Sequence, residues 1–206
     1  FLIPLLVLVA CSTQFPGCAS SGSKASISSA QADKGAQDIS VMTFNVENLF
    51  DNKHDADRED YTYLPLSQKN KPEVRKACSE IKGYYKRECF KLDWNDGIVE
   101  KKLKNVSEVI LSVENHKGPD ILFMAEVEND NILGQLNKKY LQDAHYQTQV
   151  LIEGPDKRGI DIGLLSRFEL NGKPDLHKIA NKDETAEGPK WMERSRGILE
   201  VPLKLP

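Results

Sequence analysis

The feature that most constrains the fold is an amphipathic segment, residues 98–113, followed closely by a continuous apolar segment at residues 120–125. Apolar side chains recur at steps of three and four through residues 98–113, which predicts a helix with one apolar face. Gly118 and Pro119 are typical of a helix end, and Asp93, Asn95 or Asp96 would cap its start. Residues 120–125 then form a nearly continuous apolar run, typical of a strand covered on both faces. A helix that packs on a sheet is therefore predicted.

The rest of the chain extends this pattern into an α/β or α+β order. Hydrophobic content of 39% and charged content of 29% are ordinary for a soluble globular domain, and 206 residues allow one medium core. We predict loop structure at 51–60, an insertion of loops and one short helix at 61–96, and a turn at 171–174. The other predicted elements are strands at 39–45, 146–152, 159–166 and 198–203 and a helix at 129–141.

The start of the chain predicts export and a lipid anchor. Residues 1–10 have the length of the apolar core of a signal peptide and are too short to span a bilayer. They lead into Leu8-Val9-Ala10-Cys11, which resembles the lipobox of bacterial lipoproteins, where the cysteine carries the lipid. The alternatives are an ordinary secretory signal or a buried strand. No initiator Met or basic segment precedes Phe1, so residues 1–11 are interpreted as a signal-peptide remnant.

Residues 12–37 are rich in Ser, Ala, Gly and Gln and predict a flexible tether. A tether after a lipid anchor suits a domain held at the bacterial cell envelope, in the periplasm or on the outer surface.

The four cysteines fit the same location. Cys78 and Cys89 are close in sequence, and disulfides persist in exported proteins, so we expect a local disulfide between them. A metal pair is the alternative, but it lacks nearby His or Cys partners. Cys11 would carry the lipid, and Cys18 in the tether has no expected structural role.

Two polar residues follow buried strands and are candidates for chemistry. Asn45 ends the strand at 39–45, and Glu126 follows the strand at 120–125. Amide and carboxylate oxygens are hard ligands suited to Mg²⁺, Mn²⁺ or Ca²⁺. Position alone does not establish a site, because polar strand ends commonly meet solvent. The net charge of −3 argues against a strongly cationic nucleic-acid coat but not against an enzyme that acts on nucleic acid.

Four ordered segments resemble the endonuclease/exonuclease/phosphatase superfamily. The segments Thr43-Phe-Asn-Val-Glu-Asn48 and Pro119-Asp-Ile-Leu-Phe-Met-Ala-Glu126 are similar to its first two motifs. Residues 158–167 and 195–201 are similar to two later strands of its extracellular bacterial members. The resemblance implies the N-terminal part of a four-layer α/β sandwich, in which two packed mixed sheets are flanked by helices. This domain would cover 38–206, incomplete at its C-terminus, with an insertion at about 51–97.

The resemblance also implies a function and a site. Glu126 would hold a divalent metal, Mg²⁺ or else Mn²⁺ or Ca²⁺, and Asn45 would help to position the metal or the phosphate oxygens. The implied enzyme is a metal-dependent phosphodiesterase, most simply a nuclease, that cleaves by metal-assisted attack of water. The alternatives are a phosphatase of phospholipids or inositol phosphates and a non-catalytic surface-binding lipoprotein. The expected partners are nucleic acid or another phosphate ester and a membrane, with no protein partner inferred.

Four further charged residues each have two possible roles, one at the site and one that is only structural. Arg158 and Asp161 would form a pair at the rim of the site, with Arg158 on a phosphate, or a salt bridge at the start of a strand. Arg194 and Arg196 would contact phosphate or, as is more usual before a strand, lie on a solvated edge.

Two acidic or amide neighbours of the site are assigned supporting or surface roles. We expect Asn48 to brace its loop, and we interpret Glu128 as a surface acid.

The remaining motifs of the superfamily are not found in the sequence. They are an Asn-His element, a Gly-Asp-x-Asn element and a terminal Asp-His pair, and the flanking residues of the four histidines do not match them. We therefore expect the chain to hold the metal-ligand half of a site and to be catalytically silent. For the same reason we expect the apolar faces of the strands at 159–166 and 198–203 to be uncovered.

Overall fold

The computed structural model describes residues 38–179 and 195–206. Cys11, the expected lipidation site, and Arg194 lie outside these residues. The regular elements are β1 Val41–Leu49, α1 Pro72–Glu80, α2 Tyr84–Lys91, α3 Asp96–Leu111, β2 Ile121–Val127, α4 Asp130–Tyr140, β3 Thr148–Leu151, β4 Asp161–Ser166, β5 Asp175–His177 and β6 Ile198–Glu200.

Four strands form one mixed sheet in the order β1-β2-β4-β3. The strands β1 and β2 are parallel, whereas β4 is antiparallel to both β2 and β3. A parallel pair requires a crossover, and the chain between β1 and β2 supplies it through the insertion and α3. The adjacent ends of β1 and β2 therefore point the same way, which brings Asn45 and Glu126 to one edge of the sheet.

The two predicted long helices cover one face of this sheet. Leu103 and Ile110 of α3 and Leu133 and Leu136 of α4 are fully buried in one core with Met124 of β2. The apolar stripe predicted for residues 98–113 is therefore the contact face of α3.

Local capping sets where the two helices begin. Asn95 is the cap of α3, and its Oδ1 accepts a hydrogen bond from the N–H of Ile98 at 3.2 Å. Asn129 caps α4 in the same way through the N–H of Ile132 at 3.0 Å. Of the three residues proposed to cap α3, the structure selects Asn95.

The opposite face of the sheet packs on a small second sheet. The strands β5 and β6 are antiparallel, and Leu199 of β6 is buried with Ile121, Val150 and Leu164 of the large sheet. Helices, a four-stranded sheet and a second sheet give the layering expected of the N-terminal part of an α/β sandwich, which confirms the predicted fold class.

Two predictions about these strands are wrong. The apolar face of β4 is covered, because five of its six residues are buried and only Ile162 is partly exposed. The last strand ends at Glu200 because Pro202 has no N–H to donate to a ladder. The strand β5 was not predicted, since it is short and its first and last residues are exposed.

The insertion contains two short helices instead of one. The helices α1 and α2 are separated by Gly83, whose φ of 68° combined with a ψ of −145° is readily adopted only by glycine. A disulfide joins Cys78 of α1 to Cys89 of α2, with 5.5 Å between their Cα atoms. Both half-cystines are fully buried beside Leu64 and Val74, so the expected disulfide forms the centre of a small separate core.

None of the helices in residues 38–179 or 195–206 combines the length and apolar character that crossing a membrane requires.

Candidate functional site

The site is built where the pairing of β1 and β2 is interrupted. Asn45 pairs with Ala125, and the register resumes only at Leu49 and Val127. Between these pairs β1 holds three residues and β2 holds Glu126 alone, so both strands bulge at the same point. A bulge near the end of a strand redirects side chains and is common beside functional sites.

The backbone of this double bulge is strained. Glu47, Asn48 and Glu126 have φ angles of 51°, 63° and 69°, in the left-handed region. Asparagine tolerates this region, but a glutamate there is uncommon. Such strain persists only where surrounding contacts hold it, and it clusters at functional sites.

Two groups hold the Glu126 carboxylate. Its Oε2 accepts a hydrogen bond from the N–H of Asn48 at 3.1 Å, and its Oε1 accepts one from Nη2 of Arg196 at 3.1 Å. The Glu126 side chain is 17% exposed and that of Arg196 is 27% exposed. The contact to Asn48 is made by its backbone N–H, so the expected bracing role of its side chain stays a prediction. The interpretation of Arg196 as a solvated edge residue is wrong, because it forms an ion pair across the site.

Asn45 presents an amide oxygen at the same end of the sheet. The residue is exposed, and its Oδ1 accepts a hydrogen bond from the N–H of Glu47 at 2.9 Å. This bond turns the oxygen toward the bulge and leaves one of its two lone pairs free. The structure therefore brings the two predicted metal-site residues, Asn45 and Glu126, onto neighbouring strands at one edge.

A lysine and a tyrosine complete the surroundings of Glu126. Lys102 donates a hydrogen bond from Nζ to the carbonyl oxygen of Glu47 at 3.0 Å. Burial lowers the pKa of Lys102, although the charges of Glu47 and Glu126 oppose this. Burial also raises the pKa of Tyr63 to about 12, so its hydroxyl stays protonated and able to donate at neutral pH. Neither residue was predicted for the site, because Lys102 lies on a helix and Tyr63 lies in the insertion.

Arg158 lies at the open side of the site but does not pair with Asp161. Its guanidinium binds Asp156 through Nε at 3.2 Å and Nη2 at 2.8 Å, and its side chain is 55% exposed. The hydrogen bond that Arg158 donates to Asp156 raises the pKa of Arg158, and the nearby Glu126 carboxylate adds to this. The guanidinium of Arg158 is exposed near Glu126 and can therefore bind an anion.

Asp161 is fully enclosed instead of lying at the rim. Its Oδ1 accepts the N–H of Gly154 at 2.8 Å, and burial raises its pKa to about 6. The expected pair of Arg158 and Asp161 is therefore wrong. Asp161 instead fixes the turn that precedes β4.

The interpretation of Glu128 as a surface acid is also wrong. Its side chain is 3% exposed, and its Oε2 accepts the N–H of Asp51 at 2.7 Å. Burial raises its pKa to about 9, and the carboxylates of Asp51, Asp55 and Asp60 add to the effect. No local sequence pattern indicated this burial, because it depends on the chain after β1, where the N–H of Asp51 contacts Glu128.

None of the four histidines, all of which lie in the described residues, is hydrogen-bonded to Glu126: two bind other carboxylates and two are exposed. His54 bonds to Asp60, and His177 bonds to Glu200 at 2.5 Å. His116 and His145 are exposed. Across the two described stretches, no group of three or more His, Cys, Asp or Glu residues is arranged to hold a metal by itself.

Comparison with known proteins agrees with the fold. The profile of the Endonuclease/Exonuclease/phosphatase family matches residues 85–199, more than half of the chain. The matched range includes Glu126, Arg158 and Arg196, whereas Asn45 precedes it. No curated protein and no solved structure matched the chain. The length of the family match shows that the chain belongs to the endonuclease/exonuclease/phosphatase family.

Proposed function

We propose that the protein is a divalent-metal-dependent phosphodiesterase that cleaves nucleic acid by attack of water. Membership of the family indicates a phosphoester hydrolase of the nuclease/phosphatase superfamily. The observation that carries the finer proposal is the Glu126 carboxylate, held in a strained double bulge and bordered by Arg196, Arg158 and Lys102. A carboxylate bordered by cations suits a site that receives a metal and a phosphate together.

The donor chemistry of the site fits a hard divalent cation. Glu126 offers a carboxylate and Asn45 an amide oxygen, and enzymes of this family generally use divalent metals. Mg²⁺ is commonly held by one or two carboxylates while substrate phosphate and water oxygens complete its shell. We propose that Glu126 and Asn45 hold Mg²⁺, or else Mn²⁺ or Ca²⁺. When bound, the metal would polarise a phosphoryl oxygen and offset charge on the leaving oxygen.

The protein's own residues would position the phosphate. Arg158 is exposed enough to bind a phosphate oxygen while Asp156 holds its guanidinium in place. Arg196 and the N–H of Asn48 orient the Glu126 carboxylate, so Arg196 is a positioning residue for Glu126. Asp161 is too enclosed to bind substrate, and we propose that it supports the turn before β4.

No residue of this chain is assigned as the base that activates water. None of the histidines matches the family's Asn-His or Asp-His pattern, and several groups must act together in phosphoryl transfer. We therefore expect the 206 residues by themselves to show no turnover.

The test uses the whole protein expressed from its complete gene. It is assayed on single-stranded DNA, duplex DNA, RNA, bis(4-nitrophenyl) phosphate, phospholipid and inositol phosphate, before and after EDTA and with Mg²⁺, Mn²⁺ or Ca²⁺ restored. Glu126→Gln should lower turnover at least roughly 100-fold, since it removes the charged ligand. The matched control is Glu108→Gln, which changes an exposed acid of α3 and should leave turnover unchanged.

The outcomes separate the parts of the proposal. Cleavage that survives chelation, or that survives Glu126→Gln, rejects the metal site. Turnover restricted to phospholipid or inositol phosphate rejects a nuclease and retains a hydrolase. Binding of phosphate esters without turnover identifies a non-catalytic surface protein.

We also propose that the protein is lipid-anchored through Cys11 at the bacterial cell envelope. The buried disulfide of the insertion supports an oxidising location, because disulfides persist outside the cytosol. Labelled palmitate should be incorporated by the protein and lost in Cys11→Ser. Incorporation by the variant, or release of the unaltered protein from membranes by salt alone, contradicts the anchor.

A further inference from the structure

A cleft of about 260 Å³ adjoins the bulge that holds Glu126. One wall is a single face of α3, formed by Ile98, Lys101, Lys102 and Asn105, which are spaced three and four residues apart. The insertion supplies Tyr63 and Trp94 as the other wall.

The cleft is continuous with the proposed catalytic site. Asn48 lines the cleft, and its N–H is the donor to the Glu126 carboxylate at 3.1 Å. Lys102 also lines it and lies close enough to Glu126 for the glutamate to act on its pKa. A chain whose scissile phosphate lies at Glu126 would therefore run directly into this cleft.

The aromatic wall is held in place by packing. Tyr63 stacks on Phe50 with ring centres 3.9 Å apart and planes at 8°, and Trp94 meets Tyr63 edge to face at 5.3 Å. The indole N–H of Trp94 donates to the carbonyl oxygen of Phe50 at 3.1 Å. Both rings are only partly buried, so their remaining surface faces the cleft.

The helical wall is cationic where the aromatic wall is apolar. Lys101 is exposed and belongs to none of the ion pairs among the described residues, and Asn105, one turn further on, is also exposed. An ammonium group opposite aromatic rings matches the two halves of a nucleotide, its phosphate and its base. Whole small-molecule sites usually measure about 300–1,000 Å³, so this cleft suits one nucleotide of a longer chain.

We propose that this cleft binds one nucleotide of a single-stranded nucleic acid, next to the scissile phosphate, with its phosphate on Lys101 and Lys102 and its base against Trp94 and Tyr63. The inference rests on the proposed phosphodiesterase function and adds the strand preference to it. Only an unpaired base can turn away from its neighbours and stack on protein rings.

The first test measures binding of a fluorescent single-stranded oligonucleotide and the matching duplex to the whole protein. A Glu126→Gln background prevents cleavage. Lys101→Ala should weaken single-strand binding about tenfold and reduce the slope of log K against log salt by about 0.7 for the lost contact. Lys104→Ala is the matched control, because it removes the same charge from the same helix outside the cleft, and it should change binding less than twofold.

The second test follows Trp94 directly. These 206 residues include two tryptophans, and the part of the fluorescence change that is lost in Trp94→Phe but kept in Trp191→Phe is assigned to Trp94. Single-stranded oligonucleotide should quench its fluorescence, and the duplex at equal nucleotide concentration should quench it at least fivefold less.

The outcomes distinguish this inference from the proposed function. Equal weakening by Lys101→Ala and Lys104→Ala, or equal quenching by single strand and duplex, overturns the nucleotide cleft. Cleavage of bis(4-nitrophenyl) phosphate without binding of oligonucleotide overturns the cleft and retains a phosphodiesterase. Absence of turnover on every phosphate ester overturns the proposed function itself.

Discussion

Two glutamates close together in sequence have opposite environments. Glu126 reaches Arg196 at the edge of the sheet, whereas Glu128 is enclosed beside three other carboxylates. Residues i and i+2 of a regular strand face the same way. The left-handed backbone at Glu126 and the end of β2 at Val127 break this alternation, so one acid is left for chemistry and the other is buried.

The raised pKa of Glu128 predicts a pH-dependent stability. The unfolded chain loses this proton near pH 4.3, whereas the folded chain keeps it up to about pH 9. The contribution of Glu128 to stability is therefore full below the unfolded pKa and is lost as pH rises toward the folded one. Glu128→Gln should be more stable than the unaltered protein above about pH 5, by up to ~1.4 kcal/mol for each further pH unit until pH 9.

Urea unfolding of both proteins at several pH values measures this difference. The exposed acid variant Glu108→Gln is the control and should show a difference that does not change with pH. A constant difference for Glu128→Gln would mean that Glu128 is ionised in the folded protein.

At the scale of elements, the insertion is a small unit with its own core. Cys78 and Cys89 are buried with Leu64 and Val74, and the 3-10 turn at Tyr61–Tyr63 packs against α1 and α2. Tyr63 ends that turn and forms part of the nucleotide cleft. The disulfide core therefore positions one wall of the proposed substrate site.

Removing the disulfide should loosen this wall. The double variant Cys78→Ser with Cys89→Ser releases a loop with a sequence separation of 11. Closing a loop of this size stabilises the folded state by roughly 3 kcal/mol in the chain-entropy model. Hydrogen exchange should rise across residues 72–91 while the amides of α4, which packs elsewhere, keep their protection. Unchanged exchange in 72–91 would show that the apolar core alone holds the insertion.

At the scale of the molecule, the large sheet is covered by different partners on its two faces. Helices α3 and α4 cover one face, and the small sheet covers the other through Leu199. Its side chain is 8% exposed, whereas that of its neighbour Ile198 is 61% exposed. Exposure therefore alternates along β6, so the small sheet packs on the large sheet through the face that carries Leu199.

Substituting the two neighbours separately tests this docking. Leu199→Ala should lower the free energy of unfolding by about 2–4 kcal/mol, because it leaves a cavity between the sheets. Ile198→Ala, the matched control on the solvent side, should change it by less than about 0.5 kcal/mol. Chemical denaturation of both variants gives the comparison. Equal effects would show that the two sheets do not pack through β6.

The sequence by itself determined the elements whose signals are local. The stripe of α3, the continuous apolar run of β2 and the Cys78–Cys89 pair each depend on residues close together in the chain. The resemblance to the family implied that Asn45 and Glu126 serve one metal site, and the parallel pairing of β1 and β2 places the two residues at one edge of the sheet.

Only the tertiary structure decided which polar side chains meet. Glu126 pairs with Arg196, which is 70 residues away in sequence. Arg158 binds Asp156 and not Asp161, because Asp161 is buried and accepts the N–H of Gly154 in the turn before β4. Glu128 is buried because the chain after β1 folds over it through Asp51. The reason is physical. The spacing of apolar residues depends on the local structure of one segment, whereas the hydrogen-bond partners and pKa values of side chains depend on distant segments that the fold brings together.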